Sequence, residues 1–161
     1  MKRELKSLIK NCEIEINKIK VQIAADPFSL MTPFLTKYAL IKACGTTEAV
    51  YKSIIANYFD RSKLPQVHKY ITENVRESSS NPKYGNIAQM LSKYDDIWSN
   101  NFRSQINSHP SGGRIISSLN SLASARNSFA HGGNPTITIR DIDTYFQDCK
   151  IMLNIIDNII R

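Results

Sequence analysis

Much that would narrow the function of this sequence is missing from it, and each absence removes a class. Six glycines and six prolines in 161 residues are too few for many short strands joined by tight turns, which leaves long uninterrupted stretches for helices. Cysteine occurs three times. Cys12, Cys44 and Cys149 are far apart, and each falls on an apolar position of a helical pattern. They read as small core residues, and neither a disulfide framework nor a cysteine-based zinc site is supported. No apolar run could span a bilayer, and Met1-Lys2-Arg3-Glu4-Leu5-Lys6 leads into no signal-like segment, so a soluble, cytoplasmic protein is expected. There is no Gly-rich loop ending in Lys-Ser or Lys-Thr, no His-Glu-x-x-His and no Gly-x-Ser-x-Gly, which removes the chemistries those motifs carry. His68 and His109 lack partners at metal-ligand spacing, and no cofactor or metal is called for.

Carboxylates are scarce too. Asp and Glu total 14 against 21 Lys and Arg, a formal charge of +7, which favours anionic partners. From residue 97 to 140 the chain carries Arg103, Arg114, Arg126, Arg140, His109 and His131 but no Asp, Glu or Lys. This is either a chance gap or a surface kept clear of carboxylates to receive phosphates, with Arg103 and Arg114 as candidate phosphate contacts.

What is present is helical periodicity. With 42% apolar residues the chain fits one domain with a self-sufficient core. Leu5, Leu8, Ile9, Cys12, Ile16, Ile19 and Ile23 recur at three and four and define a first helix that stops near Asp26-Pro27. Thr32-Pro33 starts a second that runs to about Asp60. Its apolar face would hold Leu35, Tyr38, Ile41, Cys44, Ile55 and Tyr58, with Gly45 permitting a close neighbour. Glu48 sits in or beside this stripe, as an edge residue or as a carboxylate orienting an arginine. A shorter helix follows from Leu64-Pro65 to Arg76, then a loop, Glu77-Ser78-Ser79-Ser80-Asn81-Pro82. Lys83 to Asn107 reads as one helix anchored by Trp98, and His109 to Gly113 as a turn whose glycine amides could meet an anion. Arg114 to His131 forms the next helix; its serines suggest close packing on a neighbour, from this chain or a second copy. Gly132-Gly133 ends it. Thr138-Ile139-Arg140-Asp141 resembles a capping box, and the last helix carries a regular stripe through Ile160 that would also suit dimer packing. Asp141 and Asp143 complement its first turn rather than form a metal site. The expectation is an all-α, up-and-down bundle of four long helices plus one or two short ones.

The chemistry concentrates in Arg126-Asn127-Ser128-Phe129-Ala130-His131-Gly132-Gly133. Arginine grips phosphate oxygens through a rigid fork, and histidine can move a proton near neutrality. Five positions separate them, about 140° around an ideal helix and about 7.5 Å along it. A helix-terminal histidine can be reoriented and arginine is long, so both could reach one phosphate. A two-fold dimer would ease the geometry, since each cleft could draw on both chains. Asn127 would hold the imidazole or contact phosphate. The structural alternative is a surface arginine and a histidine that complements the helix dipole.

This Arg-x4-His phrase, its double glycine, the following Ile137-Thr138-Ile139-Arg140-Asp141-Ile142, and Ala43-Cys44-Gly45-Thr46-Thr47-Glu48 on the second helix resemble the HEPN superfamily. Within it, they are similar to the group linked to RiboL-PSP proteins of prokaryotic conflict systems. The resemblance runs from about Phe34 to the end and is weak over residues 1 to 30. It implies a HEPN bundle, a homodimer, and metal-independent RNA cleavage in a toxin or phage-defence setting, with a cognate antitoxin or defence-system partner. Two other readings stand beside it: a bundle that binds RNA or a nucleotide without cutting, and a protein-binding helical subunit.

Overall fold

The computed structural model describes residues 1–160 and contains, in chain order, α1 (Arg3–Ala25), α2 (Thr32–Phe59), α3 (Pro65–Ile71) continued by a π-helical turn (Thr72–Arg76), α4 (Tyr84–Ser92), α5 (Asp96–Ser108), α6 (Gly112–Ala130) and α7 (Ile139–Ile159), with no strand among the described residues. The all-helical bundle is as the periodicity implied. Four helices are long and three are short, one short helix more than expected, because Lys83 to Asn107 is two helices. Asp95 is the reason: its side chain accepts the Ile97 amide at 2.7 Å and caps α5, so a new helix starts where the apolar spacing alone runs on.

The central element is α2, which packs against α1, α6 and α7. Leu40, Ala43, Cys44, Val50, Tyr51 and Ile55 are buried in one contiguous core. The α7 stripe, Ile142, Phe146, Cys149, Met152, Leu153 and Ile156, is completely buried there, so it serves this core and is not left for a dimer. All three cysteines are free and buried. From α1, Leu5, Cys12, Ile16 and Ile19 join the core, while Glu13 pairs with Lys150 at 2.6 Å and Lys20 pairs with Asp143 at its edges. Thr138 and Asp141 form the reciprocal capping box of α7.

Two expectations about faces were wrong. Tyr38 and Ile41 point outward, about half exposed, and an added Cβ on Gly45 would meet nothing within 4 Å. With Phe34 they form an outer row on α2 at steps of four, three and four, in which the Tyr38 hydroxyl donates to Glu15 of α1 at 2.6 Å. Of the five α6 serines only Ser118 is buried, so the row does not pack against a neighbouring helix of this chain. No helix among the described residues is long and apolar enough to cross a membrane.

Candidate active site

The end of α6 is set by its two glycines. The Gly133 amide donates to the Ser128 carbonyl at 2.8 Å and the Gly132 amide to Phe129 at 3.1 Å, the paired bonds of a Schellman motif. Gly132 has φ +81°, where a side chain would be strained. A Cβ on Gly133 would sit 2.8 Å from the Ser128 carbonyl oxygen and closer still to its hydroxyl. Both positions therefore require glycine, for different reasons. The residue they fix is His131, the C-cap, whose amide donates to Asn127 at 3.1 Å. Its imidazole is exposed and makes no hydrogen bond or ion pair among the described residues.

One turn back, Arg126 is half-buried. Its Nη1 donates to Asn127 Oδ1 at 3.4 Å, and no carboxylate pairs with it among the described residues. The helices α2 and α6 run antiparallel here. Lys37 on α2 lies over the Phe129 ring, 5.3 Å from its centroid, and further along α2 the Cys44 thiol feels the Arg126 charge. Burial raises that thiol to about 12, Arg126 pulls it down, and Glu48 pushes it up. The motif thus borders α2, with Lys37 against Phe129 and Arg126 acting on the Cys44 thiol.

The auxiliary candidates do not gather there. Arg114 is twelve residues before Arg126, about 18 Å along the axis. Its guanidinium grips Asp148 of α7, Nη2 to Oδ1 at 2.8 Å and Nε to Oδ2 at 3.1 Å, and Ser118 donates to the same carboxylate at 2.7 Å. Asp148 is 1% exposed, so Arg114 is held by a buried carboxylate rather than kept for phosphate, and the carboxylate-free stretch of chain does not leave all of its arginines unpaired. Gly112 serves packing: a Cβ there would fall on the Ile106 carbonyl. Arg103 stands 5.9 Å from the Tyr84 ring centroid, on the α4–α5 side. Glu48 accepts from Lys52 and from the Ser80 amide at 3.3 Å, and no arginine is among its partners.

Sequence reasoning missed Asp148, Lys52 and Lys37. For Asp148 the signal existed: it is four residues before Met152 and seven before Ile155 on the buried face of α7, where a carboxylate requires a cation. Lys52 is likewise on the buried side of α2. Lys37 carried no such mark.

A helical bundle with arginine and histidine at a glycine-capped helix end, bordered by a long second helix, is the arrangement that the resemblance to HEPN modules implied. The chain belongs to the RiboL-PSP-HEPN family, whose profile matches residues 2–161. That span takes in α1, where the resemblance was weak. No curated protein and no solved structure matches the chain.

Proposed function

We propose that this protein is a metal-independent endoribonuclease of a toxin or phage-defence system. His131 would take the proton from a ribose 2′-hydroxyl. The 2′-oxygen then bonds to the adjacent phosphorus, the bond to the 5′-oxygen breaks, and that oxygen takes a proton from water as it leaves. Arg126 would stabilise the charge growing on the phosphate oxygens, and Asn127, expected to hold the imidazole or contact phosphate, would instead hold the guanidinium, which donates to its Oδ1. The observation that carries this reading is the exposed His131 ring at a glycine-fixed helix cap, a little over one turn from an arginine that no carboxylate neutralises among the described residues. The test is incubation of mixed RNA in EDTA with wild type, Arg126→Ala and His131→Ala, followed by end-group analysis. Ends bearing 2′,3′-cyclic phosphate from wild type alone, with all-DNA substrates intact, are expected. Cleavage that stops in EDTA or persists in both variants refutes the mechanism. RNA binding that survives His131→Ala, without cleavage by wild type, makes the protein a binding module. Salt-insensitive association with a protein and no RNA affinity makes it an antitoxin-controlled subunit.

The same reading takes a homodimer. Among the described residues Arg126 and His131 share no hydrogen bond, and Phe34 and Ile41 of α2 are exposed, an apolar surface a second copy would cover. Phe28 is 96% and Leu30 88% exposed, next to an apolar groove of about 710 Å3 between α1 and α2, lined by Ile14, Val21, Met31 and Leu35. Projection and socket on one face suit a two-fold axis, since each copy can fill the other. Phe28→Asp with Leu30→Asp should convert a dimer to a monomer in light scattering and abolish cleavage. A wild type that is monomeric at every concentration removes this part of the reading.

A further inference from the structure

Three lysines that lie against the bundle close on carboxylates: Lys42 on Glu15 at 2.9 Å, Lys150 on Glu13 at 2.6 Å, and the buried Lys52 on Glu48. Lys37 does not. It is half-buried, its ammonium stands over the Phe129 ring, 5.3 Å from the centroid, and it makes no hydrogen bond or ion pair among the described residues. An aromatic face holds a cation in place without neutralising it. The three N–H donors of Lys37 are therefore left for an anion.

Contact fixes the place of this ammonium relative to the motif. Phe129 follows Arg126 by three residues on α6, and residues three apart share a helix face, so Lys37 is seated on the side of α6 that carries Arg126, at a ring about 4.5 Å further along the axis. Lys37 also borders a groove of about 540 Å3 between the N-terminal end of α2 and residues 134 to 139. That segment begins three residues after His131. Pro33, Pro135 and Ile137 give the groove apolar walls, and Lys37 is the one charged side chain among the described residues that line it. The side chains of Asn134 and Thr136, both exposed, make no hydrogen bond among the described residues. The volume is that of a small-ligand site. Apolar walls, two uncommitted polar side chains and one cation that no carboxylate answers match a nucleotide unit, which brings an apolar ring face, sugar hydroxyls and a phosphate.

We propose that Lys37 binds a backbone phosphate of the RNA strand next to the one held by Arg126, with the attached nucleotide lying in this groove. The inference rests on the nuclease reading for its substrate, but its test needs binding alone. A fluorescent, uncleavable 2′-O-methyl oligonucleotide is titrated by anisotropy at a series of salt concentrations. Lys37→Met and Lys37→Gln each remove the charge and keep a stem. Both should weaken binding several-fold and flatten the dependence of log affinity on log salt by about 0.7, the share of one phosphate contact on a single strand. Their thermal melts should fall by no more than a few degrees, the loss of one cation–π contact. Lys37→Arg should restore the wild-type slope, and Lys10→Met, which removes an exposed lysine of α1, should leave it unchanged. Wild-type slopes in both charge-removing variants, an equal loss in Lys10→Met, or a wild type with no affinity for the oligonucleotide overturns the assignment. Adenosine monophosphate that binds as tightly as the oligonucleotide, and loses that affinity in Lys37→Met, gives the groove to a free nucleotide and overturns the strand contact. The expected change of slope in a protein that never cuts RNA removes the nuclease reading and leaves Lys37 in its role. Where RNA is cut, Lys37→Met should raise KM with little change in kcat, the signature of a contact made equally before and during the reaction.

Discussion

Two arginines on α6, one near each end, have opposite fates. Arg114 is 59% exposed, yet its fork closes on a carboxylate that is 1% exposed and shared with Ser118. Arg126 is more enclosed, and among the described residues its one hydrogen bond goes to the side-chain amide of its neighbour. Solvent exposure therefore does not tell which guanidinium is available for a substrate; the partner does. A guanidinium already paired with a carboxylate must give up that bond to take a phosphate, whereas one facing an amide has charge to spare. The difference arises on α7, which passes Asp148 beneath the first turns of α6 and presents no carboxylate to the last ones.

The sharpest way to break this comparison is to exchange the expected losses. Arg126→Ala should lower the rate of RNA cleavage by roughly 10²–10³-fold, the scale for removing one charge-stabilising donor, with the denaturation midpoint unchanged. His131→Ala should cost about 10²–10⁴-fold. Arg126→Lys should restore little, because an ammonium cannot reproduce a bidentate fork. Single-turnover cleavage and chemical denaturation on the same samples decide it. If Arg126→Ala unfolds the protein, or if Arg114→Ala is the variant that loses activity while keeping its fold, the roles assigned to the two ends are reversed.

Stability should fall instead at the other end. Arg114→Ala strands the buried Asp148 carboxylate with a single hydroxyl donor, for about 2–4 kcal/mol. This lies below the cost of breaking a fully buried pair because the exposed guanidinium is partly screened by solvent. Asp148→Asn should cost less, about 1–2 kcal/mol, since Arg114 can turn to water. A larger loss for Asp148→Asn than for Arg114→Ala in urea denaturation would contradict this account.

The two ends also differ in how far the sequence alone revealed them. The Arg126 end is built from neighbours in the chain. A helix period, a double glycine and a capping box are local features, so the helix stop, the His131 position and the start of α7 follow directly from residues 122 to 141. The Arg114 end is built across 34 positions of separation, and a window of chain without carboxylates gives no warning of one arriving from another helix. The break at Asp95 was legible as a capping residue, but a continuous apolar period hid it. Tyr38 and Ile41 misled for a related reason: α2 is apolar on more than one face, so periodicity cannot say which face is inside.

Local construction makes the Arg126 end sensitive to single backbone changes, which sharpens the comparison further. Gly132→Ala would place a side chain at φ +81°, costing about 1–2 kcal/mol. Gly133→Ala would press on the Ser128 carbonyl. Both should displace the His131 ring and reduce cleavage far more than they reduce the melting temperature, which should fall by only a few degrees, at about 2–4 °C per kcal/mol for a chain of this size. Wild-type cleavage by Gly133→Ala would show that the cap does not position the histidine.

The smallest effect concerns two thiols, one under the Arg126 charge and one beside the carboxylate that Arg114 holds. Cys44 lies in the field of Arg126, which favours the thiolate, and Cys149 beside Asp148, which opposes it. Burial outweighs both and raises each from an ordinary 9.0 to about 12. Folded thiols that stay protonated while unfolded ones ionise bind more protons than the unfolded state above pH 9. Their contribution to stability is therefore fully present below pH 9 and declines from there towards pH 12. At pH 8 neither thiol should react with a maleimide on the timescale that labels the urea-unfolded chain, and Asp148→Asn should leave Cys149 as inert as before. Rapid labelling of Cys44 in the folded protein would mean that the Arg126 charge is felt more strongly than burial, and that the packing of the motif against α2 opens to water.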